Sequence, residues 1–120
     1  MHHLVLVFFG GGFGSLCRWG LGLLLQPWQH KFPWATLAAN GLACLVLGAL
    51  LGLQFGGDLS TERRLLLATG FCGGFSTFST FTAETFLAFQ SGAYMQAALN
   101  IFGNLTLCFI CLILGFKWTV

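Results

Sequence analysis

The sequence predicts an all-α integral membrane protein of four spanning helices, the third of them broken, and three observations carry that prediction. The 120 residues are 57% hydrophobic and only 7% charged, with a mean hydropathy of +0.85, a balance that belongs to a lipid-embedded chain. Apolar stretches long enough to cross a bilayer, about 20 residues each, follow one another with short polar or proline-containing joints. Inside the third stretch, Gly70 to Thr85 reads GFCGGFSTFSTFTAET, where three glycines and a run of hydroxyls weaken a helix at bilayer depth. Four spans use nearly the whole chain and leave no room for a soluble domain, so residues 1–120 form one domain.

Span one covers residues 4–25 and ends at Gln26-Pro27-Trp28, a proline and an interfacial tryptophan at the membrane edge. The amino end carries histidines instead of Lys or Arg and shows no cleavage pattern, so this segment is expected to be retained as a span. Gly11, Ser15, Arg18 and Gly22 share one stripe of it. A central arginine costs about 2.5–3.5 kcal/mol on insertion scales, so Arg18 must face other helices or water. Two roles stay open for it: capping carbonyls of a broken helix, or meeting a permeant ion.

Span two covers residues 33–55 and opens after Lys31 with Pro33 and Trp34. Thr36, Asn40, Cys44, Gly48 and Gly52 recur every four residues as a small or polar ridge, and Gly48-Gly52 is a GxxxG pair that lets helices approach closely. Asn40 stands out, because a buried amide must find partners and its NH2 can donate to an anion. Gly56 to Arg64 is the aqueous loop, with Ser60 or Thr61 as cap of the next helix. Span three covers residues 65–89, and Gln90-Ser91-Gly92 turns into span four, residues 94–118. There Gln96, Asn100, Asn104, Cys108 and Cys111 form a polar stripe that should face span three.

Cys17, Cys44, Cys72, Cys108 and Cys111 all sit in apolar stretches, and Cys108-x-x-Cys111 has no second pair or histidine beside it, so they read as packing residues. A net charge of +2 from scattered residues argues against nucleic acid. No His and acid pair lies within the spans, which argues against an enzyme. Arg63, Arg64 and Lys117 on one side against Lys31 on the other give a slight preference for cytoplasmic termini, compatible with insertion both ways. Polar stripes on spans two, three and four need covering, so a homodimer with twofold symmetry is the expected minimum.

The candidate site follows from Gly70–Thr85. A break near Gly73, within Gly73–Ser76, frees backbone carbonyls, which make hard-cation ligands where irregular backbone lines a cavity. Beyond it Thr77, Thr80 and Glu84 share one face and Phe78, Phe81 and Thr85 the adjoining one. Hydroxyls donate hydrogen bonds and the rim of a phenyl ring is electropositive, so both stripes can face an anion.

Gly11–Arg18 (GGFGSLCR), Thr36–Gly41 (TLAANG) and above all Gly70–Phe81 (GFCGGFSTFSTF) resemble the three signature blocks of the CrcB, or Fluc, fluoride channels, in the family's order and separations. The resemblance implies an antiparallel, dual-topology homodimer in a bacterial inner membrane, with two pores that pass fluoride passively, exclude chloride and confer fluoride resistance. It implies a structural Na+ on the twofold axis, held by carbonyls of Gly73 and Ser76. It places Phe78 and Phe81 along the fluoride path, Asn40 beside it, Ser79 and Thr80 as hydroxyls along it, and Glu84 as the acid after the Phe pair. Thr77, Asn104 and Arg18 complete the expected pore set, and Glu84 is assigned to the vestibule or gate. The chain departs from the family's pattern in having Ser76-Thr77 before the first Phe, and Asn100 and Asn104 where a tyrosine or serine is expected. Two other readings compete: a proton-coupled exporter of the small multidrug resistance kind, which relies on a glutamate in span one where this chain has Arg18, and a non-transporting assembly subunit.

Overall fold

The computed structural model describes residues 1–120, all helices and connecting turns. Helix α1 is His2–Leu24 and is followed by a 3-10 turn, Gln26–Trp28. Helix α2 is Trp34–Phe55. Helix α3 covers residues 61–75 and is composite: a first turn Thr61–Arg63, a wide π-helical stretch Arg64–Cys72, and a last turn Gly73–Phe75. Helix α4 is Phe78–Gln90 and α5 is Tyr94–Thr119. Three of these, α1, α2 and α5, are each long and apolar enough to cross a membrane. The molecule is 47 Å along its longest axis, close to the thickness of a bilayer with its headgroups.

The helix ends follow local chemistry. Ser60 Oγ accepts from Arg63 N at 3.3 Å and caps α3. Gly57 and Gly92 hold φ of +79° and +84°, and the residues after them donate back across each turn, Asp58 N to Leu53 O and Ala93 N to Ala88 O, both 2.8 Å. These are glycine-terminated helix ends, where a left-handed residue satisfies free carbonyls.

Two parallel helix pairs make up the body. In the first, α1 runs alongside α3 with a register offset of about sixty residues: a Cβ on Gly10 would strike the backbone of Leu66 and Gly70, one on Gly14 that of Phe71 and Phe75, and one on Gly74 that of Gly11. In the second, α2 runs alongside α5: Gly48 meets Leu112, Gly52 meets Phe116 and Thr119, and Gly115 meets Leu45 and Ala49. Lipid is as apolar as leucine, so close backbone approach through small residues is what holds such pairs together. The pairs join at Ala39, Ala43 and Phe75, with Cys17, Leu21 and Phe71 packed around them.

The Gly48-Gly52 end of the α2 ridge thus packs as a seam, whereas only half of the α1 stripe, Gly11 and Arg18, packs against α3. Ser15 is exposed and Gly22 has open space beside it; the packed face is Gly10, Gly11, Gly14 and Arg18. The glycines of α3 also act differently from expectation. Gly70, Gly73 and Gly74 stay helical, the first and last because α1 presses against them, and the helix breaks at the far end of the expected range, at Ser76-Thr77. Only 19 of 120 residues are buried, so most apolar side chains face outward, toward lipid or another copy.

Candidate functional site

The site forms where α3 stops and α4 begins. Ser76 (φ −80°, ψ 159°) and Thr77 (φ −152°, ψ 122°) are extended, and hydroxyls that compete for backbone partners stabilise that conformation. Ser76 Oγ donates to Cys72 O at 2.7 Å. Thr77 Oγ1 accepts from Thr80 N at 3.2 Å and so caps α4.

An interrupted helix at this depth leaves backbone groups that lipid cannot serve, and each needs a partner from protein, ion or cavity water. Asn40 on α2 does this for Thr77: Thr77 N donates to Asn40 Oδ1 at 2.8 Å, and Asn40 Nδ2 donates back to Thr77 O at 3.3 Å. Asn40 Nδ2 also donates to Asn104 Oδ1 at 3.0 Å. Asn104 Nδ2 donates to both the carbonyl and the side-chain oxygen of Asn100, at 3.0 and 2.9 Å. Asn100 Nδ2 donates to Thr85 Oγ1, which donates to Phe81 O, both at 2.8 Å. One chain of hydrogen bonds therefore runs from the break through α2 and α5 and returns to α4 at Phe81. Asn100 is 1% exposed and Asn104 4%, depths at which amides persist only when satisfied.

Arg18 serves the other side of the break. Its Nε donates to Gly74 O at 3.1 Å, a carbonyl at the negative end of α3 with no helical partner beyond it. Arg18→Ala is expected to lower stability by about 1.5–3 kcal/mol, the worth of a hydrogen bond to a charged group, read as a lower unfolding midpoint in detergent. Of the last carbonyls of α3, Cys72 O and Gly74 O are thus satisfied, while Gly73 O and Ser76 O accept no hydrogen bond within the chain.

Beside the break lies an open groove of about 420 Å³ whose wall includes Asn40, Ser76, Thr77, Phe78, Phe81 and Asn104. The Phe78 and Phe81 ring centroids are 5.6 Å apart at 47°, and Phe78 is 78% exposed in the single chain. The remaining predicted residues lie off this wall. Ser79 is exposed with its hydroxyl 3.3 Å from Thr77 Oγ1, Thr80 contributes its backbone N–H to the cap, and Arg18 stands behind the break. Glu84 sits a turn further on, half-buried beside Thr36, and its Oε1 is buried without a hydrogen-bond partner.

Sequence reasoning assigned no role at the site to four residues that contribute to it. Cys44 and Cys108, read as packing residues, line the groove, and Asn100 with Thr85 closes the amide chain. The signal was there in the four-residue spacing of Cys44 with Asn40 and of Cys108 and Asn100 with Asn104. Leu105, Phe109 and Leu112 make much of the wall apolar, and because the amides are paired with one another, the groups left to meet an ion are the Phe78 and Phe81 rings and the hydroxyls around Thr77. They are neutral, electropositive or donating, and suited to an anion that must pass without being trapped.

A family model described as CrcB-like protein, Camphor Resistance (CrcB), matches residues 5–116. Among curated relatives, the Fluoride-specific ion channel FluC of Pyrococcus furiosus is 48% identical over 97% of this chain and 94% of its own. Its namesake from Thermus thermophilus is 43% identical over 98% of this chain and 94% of its own, and that from Klebsiella pneumoniae 46% over 85% and 81%. The molecule is an all-helical membrane protein. It belongs to the CrcB family.

Proposed function

We propose that the protein is a fluoride-selective passive channel of the plasma membrane, acting as an antiparallel, dual-topology homodimer of four-span chains with two pores. The single observation that carries the reading is the Asn40-held break at Ser76-Thr77, which starts α4 with Phe78 and Phe81 on the wall of an anion-suited groove. The parallel pairing of α1 with α3 and of α2 with α5 supports four alternating spans, with α3 and α4 together forming the third.

Fluoride is small and holds its water tightly, so a selective pore replaces that water with several close donors in a space too narrow for larger halides. The rims of Phe78 and Phe81 and the hydroxyl of Thr77 supply such donors without a fixed positive charge, with Ser79 Oγ 3.3 Å behind Thr77 Oγ1. The groove is open on one side in a single chain, and a second copy that covers it also covers exposed Phe78. Arg18 contributes by holding Gly74 O, and Glu84 stands at the mouth beyond the ring pair.

A sodium ion fits the residues at the break. Gly73 O and Ser76 O are hard oxygen ligands free of hydrogen bonds, at the negative end of α3; one chain offers two, and a twofold copy doubles them. Bound there, the cation offsets repulsion between the facing carbonyls and lends the dimer a potential favourable to anions.

Passive conduction is enough for export. Hydrogen fluoride entering by diffusion dissociates in a less acidic cytoplasm, and an inside-negative potential favours anion exit by about 2.3 kcal/mol per charge per 100 mV. The test is efflux from liposomes holding the purified protein. Fluoride is expected to leave faster than chloride by at least about a hundredfold, a barrier difference of about 2.7 kcal/mol. Equal rates for the two halides, or efflux that requires a proton gradient, would overturn the reading.

A further inference from the structure

The first turns of α1 and α3 meet at one end of the molecule, beyond the glycine contacts that begin at Gly10. Three metal-ligating side chains converge there: His2, His3 and Glu62, with one ligand atom of each within 4.8 Å of the others. His2 Nε2 is 3.7 Å from Glu62 Oε1, and the two imidazole centroids are 4.3 Å apart. All three side chains are solvent-accessible, so each can turn to bring its donor inward. Tetrahedral zinc needs neighbouring ligand atoms roughly 3.3 Å apart. Glu62 is predisposed to be anionic: its own backbone N–H, and after it His2, hold its carboxyl below the ordinary range.

We propose that His2, His3 and Glu62 form a binding site for a borderline divalent metal ion, Zn2+ by its ligand set of two imidazoles and one carboxylate, with water in the fourth position. The site joins the start of α1 to the start of the composite helix α3, the helix whose far end forms the break. It is separate from the carbonyls of Gly73 and Ser76, which suit a hard cation and lie at the opposite end of α3. The 58 residues between His3 and Glu62 hide the cluster from sequence spacing, and the parallel register of α1 and α3 creates it.

The experiment uses the full chain, purified without a histidine tag, in detergent, with ZnCl2 measured by calorimetry and CoCl2 by visible absorption. One Zn2+ per chain should bind saturably and raise the unfolding midpoint. Co2+ should give the absorption of a tetrahedral site without a sulfur charge-transfer band, which separates this site from the five thiols. His3→Ala and Glu62→Gln should each weaken binding by about tenfold or more, while His30→Ala leaves it unchanged. Non-saturable binding, a thiolate band, or undiminished affinity in both ligand variants overturns the proposal. None of these readouts depends on the protein being a channel.

Discussion

Phe81→Ile and Phe78→Ile are each expected to reduce fluoride efflux from liposomes by at least about a hundredfold, some 2.7 kcal/mol of barrier, while the protein still assembles as a dimer. Isoleucine keeps most of the apolar bulk and removes the ring, and with it the electropositive rim that stands in for water around the anion. The two positions differ in what else they do, which makes the pair informative. Phe78 is 78% exposed in one chain, so little packing within the chain is lost when its ring goes, and the unfolding midpoint of Phe78→Ile should stay near that of the parent. Phe81 is partly buried, its ring is 5.6 Å from that of Phe78, and its carbonyl receives Thr85 Oγ1. A small loss of stability is therefore expected at Phe81 beside the loss of flux. Efflux at the parent rate in both variants would remove the rings from the path and leave the groove as a packing feature.

How far the sequence reveals this arrangement depends on whether a residue's partner is local. The ends of two helices are legible because proline, tryptophan and the charged loop punctuate them within a few residues: the expected 33–55 and 94–118 compare with helices Trp34–Phe55 and Tyr94–Thr119. The α2 ridge and the amide stripe of α5 are legible because a four-residue spacing marks one helical face wherever the neighbour stands. Glycine is not legible in the same way. A glycine run reads as helix weakness when only its own backbone is considered, yet Gly70 and Gly74 are there because α1 lies against them, a fact about a segment sixty residues earlier. The helix instead widens into a π-helical stretch, Arg64–Cys72, and gives way two residues after Gly74, where hydroxyl side chains offer the backbone other partners.

The stripe of α5 shows the same division. Spacing places Asn100 and Asn104 on one face, and that face is expected to meet span three. Asn100 does so through Thr85 on α4, but Asn104 turns to Asn40 on α2. The one stripe therefore serves two helices, because α5 crosses from its parallel partner to the displaced half-helix. Only the three-dimensional register shows that the amides are joined in series, and that Asn40 holds the break instead of presenting its NH2 to a solute.

Asn40→Ala is accordingly expected to cost more stability than any other single truncation at the site. It leaves Thr77 N–H, Thr77 O and Asn104 Oδ1 without their protein partners at once, in a half-buried setting. At about 1–3 kcal/mol for each unsatisfied group, and with losses in one network not fully additive, the total is about 3–6 kcal/mol. That is a large part of the stability of an ordinary domain. Fluoride flux should fall with it, since the start of α4 and both rings lose their anchor. Asn40→Asp separates anchoring from mere polarity. Its Oδ1 can still accept from Thr77 N, but the donor is replaced by an oxygen facing Thr77 O and Asn104 Oδ1, and a carboxylate on the groove wall repels an anion. Backbone hydrogen exchange at Thr77 should accelerate strongly in Asn40→Ala and less in Asn40→Asp, while flux is lost in both. Parent-like exchange at Thr77 in Asn40→Ala would mean that the break holds itself open without α2, and Asn40 would then not be its anchor.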